Sequence, residues 1–191
     1  LEEGYNTIAA SAVDFARNQS DPVHLVVQYM PPTTPNDHFK NAMPLEGVSG
    51  VVSAFNEFAT KEYLEPFHGG NQGGRSVWYR WSPPGDGVLT LSTSSTNTTY
   101  DTLLGVYTGS VVTNLTTIAG NDDVGPGDSS SKVSLGVISG VEYTIAVDGF
   151  AGGGGDAELS YDFVAGEVRR LDTTAGANGR VTPESGDYAS G

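Results

Sequence analysis

Cysteine is absent from this 191-residue chain, which excludes disulfides, zinc–thiolate sites and thiol catalysis. Basic residues are scarce. Nine Lys and Arg stand against 23 Asp and Glu, giving a formal net charge of −14 and a pI of about 4.3. Phosphate binding needs clustered Lys and Arg, so nucleic acid is not an expected partner. The same deficit argues against anionic membrane surfaces, and no apolar run reaches the roughly 18 residues a membrane helix requires, so no membrane insertion is expected. Histidine is limited to His24, His38 and His68. His24 lies in an apolar strand, and His38 follows a proline-rich stretch. Only His68 sits in a glycine-rich loop beside an acid, Glu65. A hydrolase needs a nucleophile, a base and an orienting group. The chain has neither a G-x-S-x-G elbow nor an H-E-x-x-H pair, so it is expected to be non-catalytic.

What is abundant is turn and strand chemistry. Gly 26 and Pro 10 accompany many Ser, Thr, Val and Tyr, a balance that favours short strands and tight turns over helices. Strands are expected at 50–53, 76–81, 87–92, 102–107, 115–119, 132–137, 142–147 and 158–163. Turn signals such as Pro83-Pro84-Gly85-Asp86-Gly87, Thr108-Gly109-Ser110 and Ser139-Gly140 separate them. Alternation is clear in Val88-Leu89-Thr90-Leu91-Ser92 and Tyr143-Thr144-Ile145-Ala146-Val147. The pattern predicts an all-β, antiparallel β-sandwich or jelly roll with extra strand segments at both termini. A helical turn at 52–61, with Ala54, Phe55, Phe58 and Ala59 on one side, is the one competing local signal.

The chain divides by composition. Residues 1–30 are a strand segment, read either as the tail of a preceding β-domain or as a donor strand in which Val23, Leu25, Val27 and Tyr29 face one way. Residues 31–35 are a stiff Pro-rich linker, 36–165 the sandwich, and 166–191 a polar Gly-rich tail. Gly4-Tyr5-Asn6-Thr7-Ile8-Ala9 echoes Val141-Glu142-Tyr143-Thr144-Ile145-Ala146, and each is followed by a loop and a second strand. Beginning at Leu1 without a signal peptide, the chain reads as a fragment of something longer.

Seven motifs occur in order within 36–165. They are Asn36-Asp37-His38-Phe39-Lys40-Asn41-Ala42, then Ala59-Thr60-Lys61-Glu62, then Glu65-Pro66-Phe67-His68-Gly69-Gly70. Next come Gly73-Gly74-Arg75-Ser76-Val77-Trp78-Tyr79-Arg80-Trp81 and Tyr100-Asp101-Thr102-Leu103-Leu104-Gly105-Val106-Tyr107-Thr108-Gly109. Asn121-Asp122-Asp123 and Tyr143-Thr144-Ile145-Ala146-Val147-Asp148-Gly149 complete the set. Together they resemble the bacterial pre-peptidase C-terminal (PPC) domain family. That resemblance implies a β-sandwich that accompanies secreted peptidases and other enzymes without performing chemistry. The stretch from Gly176 to Gly191 is similar to the opening of an InlB-type B-repeat, which implies a large secreted or surface protein.

The acids gather at strand ends. If the four strands after Tyr100 form an up-and-down meander, Asp101, Asn121, Asp122, Asp123 and Asp148 share one sheet edge. Clustered carboxylates repel unless a cation or hydrogen bonds neutralise them. Calcium takes six to eight oxygens at about 2.3–2.6 Å, so these residues are candidate calcium ligands, with Glu65 and His68 as further loop candidates. Capping by Asx turns is the competing explanation. Trp78 and Trp81, three apart on a strand, point to opposite faces, one expected in the core and one partly exposed. The expected function is an extracellular, structural or adhesive module, with calcium as its cofactor and polysaccharide or protein as ligand. Two alternatives are an accessory substrate-attachment domain of a secreted peptidase or glycosidase, and a strand-exchanging subunit of an extracellular filament. Partners would then be neighbouring domains, or copies of the same chain joined by β-addition.

Overall fold

The structure is a computed structural model that describes residues 4–29, 33–166, 168–171 and 186–189. The chain divides into two compact units, Leu1–Thr33 and Thr34–Gly191. In the first, β1 (Gly4–Ala10) and β2 (Val23–Tyr29) form an antiparallel ribbon. Ile8 stands opposite Leu25, Asn6 opposite Val27 and Ala10 opposite Val23, so these residues share one face. Val23 and Leu25 are largely exposed, as is His24, and Val27 is half-buried. Pro31 and Pro32 of the linker lie outside the described residues, as does Met30 before it.

The second unit carries β3 (Met43–Pro44), β4 (Ser49–Ser53), β5 (Val77–Trp81), β6 (Gly87–Ser92), β7 (Thr102–Thr108), β8 (Thr116–Asn121), β9 (Lys132–Val137), β10 (Tyr143–Gly149) and β11 (Glu158–Ala165). A short ribbon pairs β12 (Val168–Leu171) with β13 (Gly186–Ala189). The bulk of the B-repeat-like stretch lies outside the described residues. Each strand expected between 50 and 163 forms, with ends within two residues of expectation. The competing helical turn at 52–61 does not form. Ala54 is buried under the sandwich, and the Asn56 side chain is engaged with distant backbone, donating to Arg75 O at 2.8 Å and accepting from Gly155 N at 3.0 Å. Such side-chain bonds compete with helix formation.

Two sheets stack face to face. One has the order β3-β5-β10-β7-β8 and the other β4-β11-β6-β9. All pairs are antiparallel except β3 with β5. The meander expected after Tyr100 is corrected by this order: β7 and β8 form a hairpin, β9 crosses to the opposite sheet beside β6, and β10 returns to pair with β7 and β5. Such crossings let each sheet present an apolar face to the other. Leu104, Val106, Tyr79, Trp81, Ile145 and Val147 meet Leu89, Leu91, Val137, Leu159, Tyr161 and Phe163 in the main core.

The two sheets differ on their outer faces. In the four-stranded sheet β6 and β9 alternate between buried and more accessible positions, as one solvated face requires. In the five-stranded sheet β7 and β10 are buried on nearly every residue, and β5 on all but Arg80. A second cluster of Ala42, Trp78, Tyr107 and Ala146, packed by Phe39, Val112 and Leu115, covers that outer face. Both tryptophans are therefore buried. Trp81 lies in the main core against Phe163, and Trp78 lies on the other side, where partial exposure was expected.

Candidate functional site

The register of the five-stranded sheet fixes where the acids lie. Leu103 on β7 pairs with Asp148 on β10, and Leu104 pairs with Asn121 on β8. The start of β7 is thus flanked by the ends of β10 and β8. All five candidate ligands reach one sheet end, through adjacency of β10, β7 and β8 rather than through a meander. The four aspartates separate into two groups, Asp148 in one and Asp101, Asp122 and Asp123 in the other.

Asp148 follows Thr144 and Ala146 onto the outer face and is fully buried. Its Oδ1 accepts hydrogen bonds from Gly74 N at 2.9 Å, Arg75 N at 2.7 Å and Gly149 N at 2.7 Å, and its Oδ2 accepts from Gly74 N at 3.1 Å. Gly73 makes this cradle possible. Its φ is +62°, and a Cβ there would lie 1.7 Å from Asp148 Oδ2. Successive backbone N–H groups turned inward bind an anion in this way.

Three more ionisable side chains meet Asp148. Lys61 Nζ lies 3.5 Å from Asp148 Oδ2 and 3.4 Å from Glu65 Oε1, and it donates to Pro66 O at 2.9 Å. His68 Nε2 bonds Glu65 Oε1 at 2.7 Å, and His68 Nδ1 bonds the Tyr107 hydroxyl at 2.7 Å. The His68 ring meets Trp78 and Tyr107 edge-on. Burial opposes the Glu65 charge, but hydrogen bonds from His68, Ser76 and the Glu62 N–H outweigh it, and the carboxyl lies below its ordinary range. Glu65 therefore adds stability that persists at neutral pH and is lost as pH falls through its depressed value. Burial, with the Glu65 and Asp148 charges behind it, pushes the Tyr107 hydroxyl up.

The opening motif belongs to the same lattice. Asn36 and Trp78 exchange bonds, Asn36 Nδ2 to Trp78 O at 3.0 Å and Trp78 N to Asn36 O at 2.9 Å. Asp37 Oδ1 accepts from Thr60 N at 2.6 Å, and Glu62 Oε2 from Phe39 N at 2.6 Å. Phe39 stands edge-on to Trp78 at 5.2 Å. Sequence reasoning singled out Glu65 and His68 here but not Lys61, Asp37 or Tyr107. The available signal was that those residues sit inside the quoted motifs.

The second group is Asp101, Asp122 and Asp123, each with a carboxylate oxygen within 4.8 Å of the others. Asp101 Oδ1 and Asp122 Oδ1 are shielded from solvent and have no hydrogen-bond partner. Asp122 Oδ2 accepts from Asn71 Nδ2 at 2.8 Å. Desolvation, then the Asp122 and Asp123 charges, raise the Asp101 carboxyl above its ordinary value. Desolvation and Asp123 do the same to Asp122. Oxygens on opposite sides of one calcium ion lie about 5 Å apart, so this spacing suits a shared cation. Asn121 does not join them through its side chain. Its Oδ1 accepts from Lys132 N at 2.8 Å, and its Nδ2 donates to Asp123 O at 3.0 Å. The donor-strand candidates Val23, Leu25 and Val27 stand on β2 in the other unit, and the Tyr29 side chain lies outside the description.

The strand order defines a two-layer β-sandwich whose five-stranded sheet is covered on both faces. No family model matches the chain, and no curated protein matches it. Among solved structures, the pre-peptidase C-terminal domain of a collagenase from Bacillus anthracis is similar over 64% of this chain and 94% of that chain, at 12% identity and a TM-score of 0.40. Among the described residues, no helix is long and apolar enough to cross a membrane.

Proposed function

We propose that this chain is a non-catalytic, extracellular β-sandwich module of a large bacterial secreted or surface protein, structural or adhesive in role, with calcium bound by Asp101, Asp122 and Asp123. The observation that carries the non-catalytic reading is where His68 and Glu65 lie. Their side chains have no solvent exposure, and both are spent on internal hydrogen bonds. A general base must reach the proton it abstracts, and a substrate has no path to these two. The motif order supports an accessory module, and the two orphaned oxygens support calcium.

Calcium is expected to raise the melting temperature of the full chain in a scan comparing EDTA with millimolar calcium. Binding only the folded state stabilises by about 2.7 kcal/mol at a hundredfold excess over Kd. Asp101→Asn should remove the shift. The sign with pH follows from the raised carboxyls. A carboxyl harder to ionise when folded destabilises above that raised value. In EDTA, acidification through the ordinary carboxylate range should therefore relieve this pair's penalty, and Asp101→Asn should melt higher than wild type at neutral pH. Equal melting temperatures with and without calcium, for wild type and variant alike, would remove calcium from the account. Sustained turnover of casein or chromogenic glycosides, abolished by one substitution, would remove the non-catalytic reading.

The exposed face of the β1–β2 ribbon favours a second reading, strand exchange between copies. An isolated two-stranded ribbon is marginal in water, while Val23 and Leu25 are 73% and 59% exposed. Under this reading the full chain associates with rising concentration in light scattering, and Leu25→Asp with Val27→Asp abolishes association. A monomer at high concentration with rapidly exchanging amides in 4–29 would dismiss it.

A further inference from the structure

We propose that Lys61 and Asp148 form an intramolecular amide cross-link, with Glu65 as the proton carrier. This goes beyond the module reading and does not depend on calcium. The three side chains come together where the loop between β4 and β5 lies over the outer face of β10. Lys61 Nζ is 3.5 Å from Asp148 Oδ2 and 3.4 Å from Glu65 Oε1. Both carboxylate side chains are fully buried, and the Lys61 side chain is only 16% exposed. His68 Nε2 lies beside both carboxylates, 2.7 Å from Glu65 Oε1 and 3.9 Å from Asp148 Oδ2, and its ring packs against the fully buried Trp78 and Tyr107.

Two features separate this group from an ordinary surface ion pair. The first is the division of labour on the Asp148 carboxyl. Oδ1 receives three backbone N–H bonds, from Gly74, Arg75 and Gly149, whereas Oδ2, with one such bond from Gly74, faces the amine. Donors fixed at one oxygen are placed to hold the charge that develops there when a nucleophile adds to the carbon. The second is burial, which strips water from around the facing amine and carboxyl. Holding the reactants together adds the advantage of intramolecular geometry.

The step balances without an external reagent. Glu65 carries one proton from the Lys61 ammonium to Asp148 Oδ2. The freed nitrogen lone pair attacks Asp148 Cγ, and the electron pair of the carbonyl moves to Oδ1. A second proton leaves nitrogen through Glu65 to Oδ2, the Cγ–Oδ2 bond breaks, and water departs. Ammonium plus carboxylate becomes amide plus water. Nothing is oxidised or reduced, and Glu65 ends as it began. The product ties positions 87 residues apart in a chain that has no cysteine, and it removes two buried charges.

Intact-mass spectrometry of the purified, denatured full chain tests this. The wild type should weigh one water, about 18 Da, less than its sequence, and a protease digest should yield a branched peptide joining Lys61 to Asp148. Lys61→Ala and Glu65→Gln should show the full sequence mass. The wild-type measurement needs no variant to fold. A folded wild type at full sequence mass after days at neutral pH overturns the proposal. A water loss that persists in Lys61→Ala, or that hydroxylamine opens, is a succinimide at Asp86-Gly87 or Asp148-Gly149 and also overturns it. A branch from Lys61 to Glu65 overturns the assignment of Asp148.

Discussion

Asp148→Ala is expected to cost about 3–5 kcal/mol of stability, the range for removing one partner of a buried charged network. The backbone N–H groups of Gly74, Arg75 and Gly149 lose their acceptor at once, and each unsatisfied buried donor costs about 1–3 kcal/mol. Lys61 is left with Glu65 and the Pro66 carbonyl alone. Alanine cannot fill the cradle, and Gly73, already at positive φ, has no side chain to collapse into it. Urea unfolding should show the midpoint falling, with the slope unchanged when the reference protein carries no Lys61–Asp148 amide. Asp101→Ala, at the same sheet end, should show no such loss in EDTA, because its Oδ1 satisfies no donor. Equal losses in the two variants would mean that Asp148 is one more strand-end acid.

Trp78→Ala is the second large loss, again about 3–5 kcal/mol for deleting a buried aromatic. Trp78 is the centre of the outer cluster. Phe39, His68 and Tyr107 all pack their rings against it, so its removal opens a cavity that strands cannot close by shifting. Trp78→Phe separates packing from hydrogen bonding. The indole N–H has no partner, so phenylalanine loses volume but no bond and should recover a good part of the stability. The corresponding change at Trp81 differs, because its Nε1 donates to Gly47 O at 2.9 Å, and Trp81→Phe leaves that carbonyl short. Fluorescence-monitored unfolding of the three variants makes the comparison.

The strands of the sandwich were legible because one solvated face forces alternation, as in Val88-Leu89-Thr90-Leu91-Ser92 on β6. Their partners were not. β9 follows β8 closely in sequence, yet it lies in the other sheet beside β6, and no local pattern marks a crossing. The double burial of β7 was visible in Leu103-Leu104-Gly105-Val106-Tyr107, which does not alternate. A continuous apolar run is what a strand covered on both faces requires. The same reasoning, applied to Val77-Trp78-Tyr79, places Trp78 inside as well.

The acids were legible as a group by position and not by role. Register brings Asp101, Asp122 and Asp148 to one end of the sheet. What separates Asp148 is a cradle of amides from Gly74 and Arg75, more than seventy positions away. Lys61 drew no attention as an isolated basic residue in a loop, since its meaning depends on two carboxylates that the fold brings to it. The motifs at 36–42, 65–70 and 73–81 look like functional loops in sequence. In the fold they meet on the outer face of the five-stranded sheet, where Asn36, His68 and Trp78 hold one another in place.

The central claim is that this polar lattice is a closed structural pin. Native-state hydrogen exchange at the amides of Gly74 and Arg75 tests it most directly. Both lie in a glycine-rich loop before β5, where an unpinned segment exchanges fast. The account predicts that they exchange only through global unfolding, with protection matching the amides of β10 in the sheet interior. Exchange orders of magnitude faster than β10, in a chain otherwise fully folded, would show that the lattice opens on its own and would contradict the account.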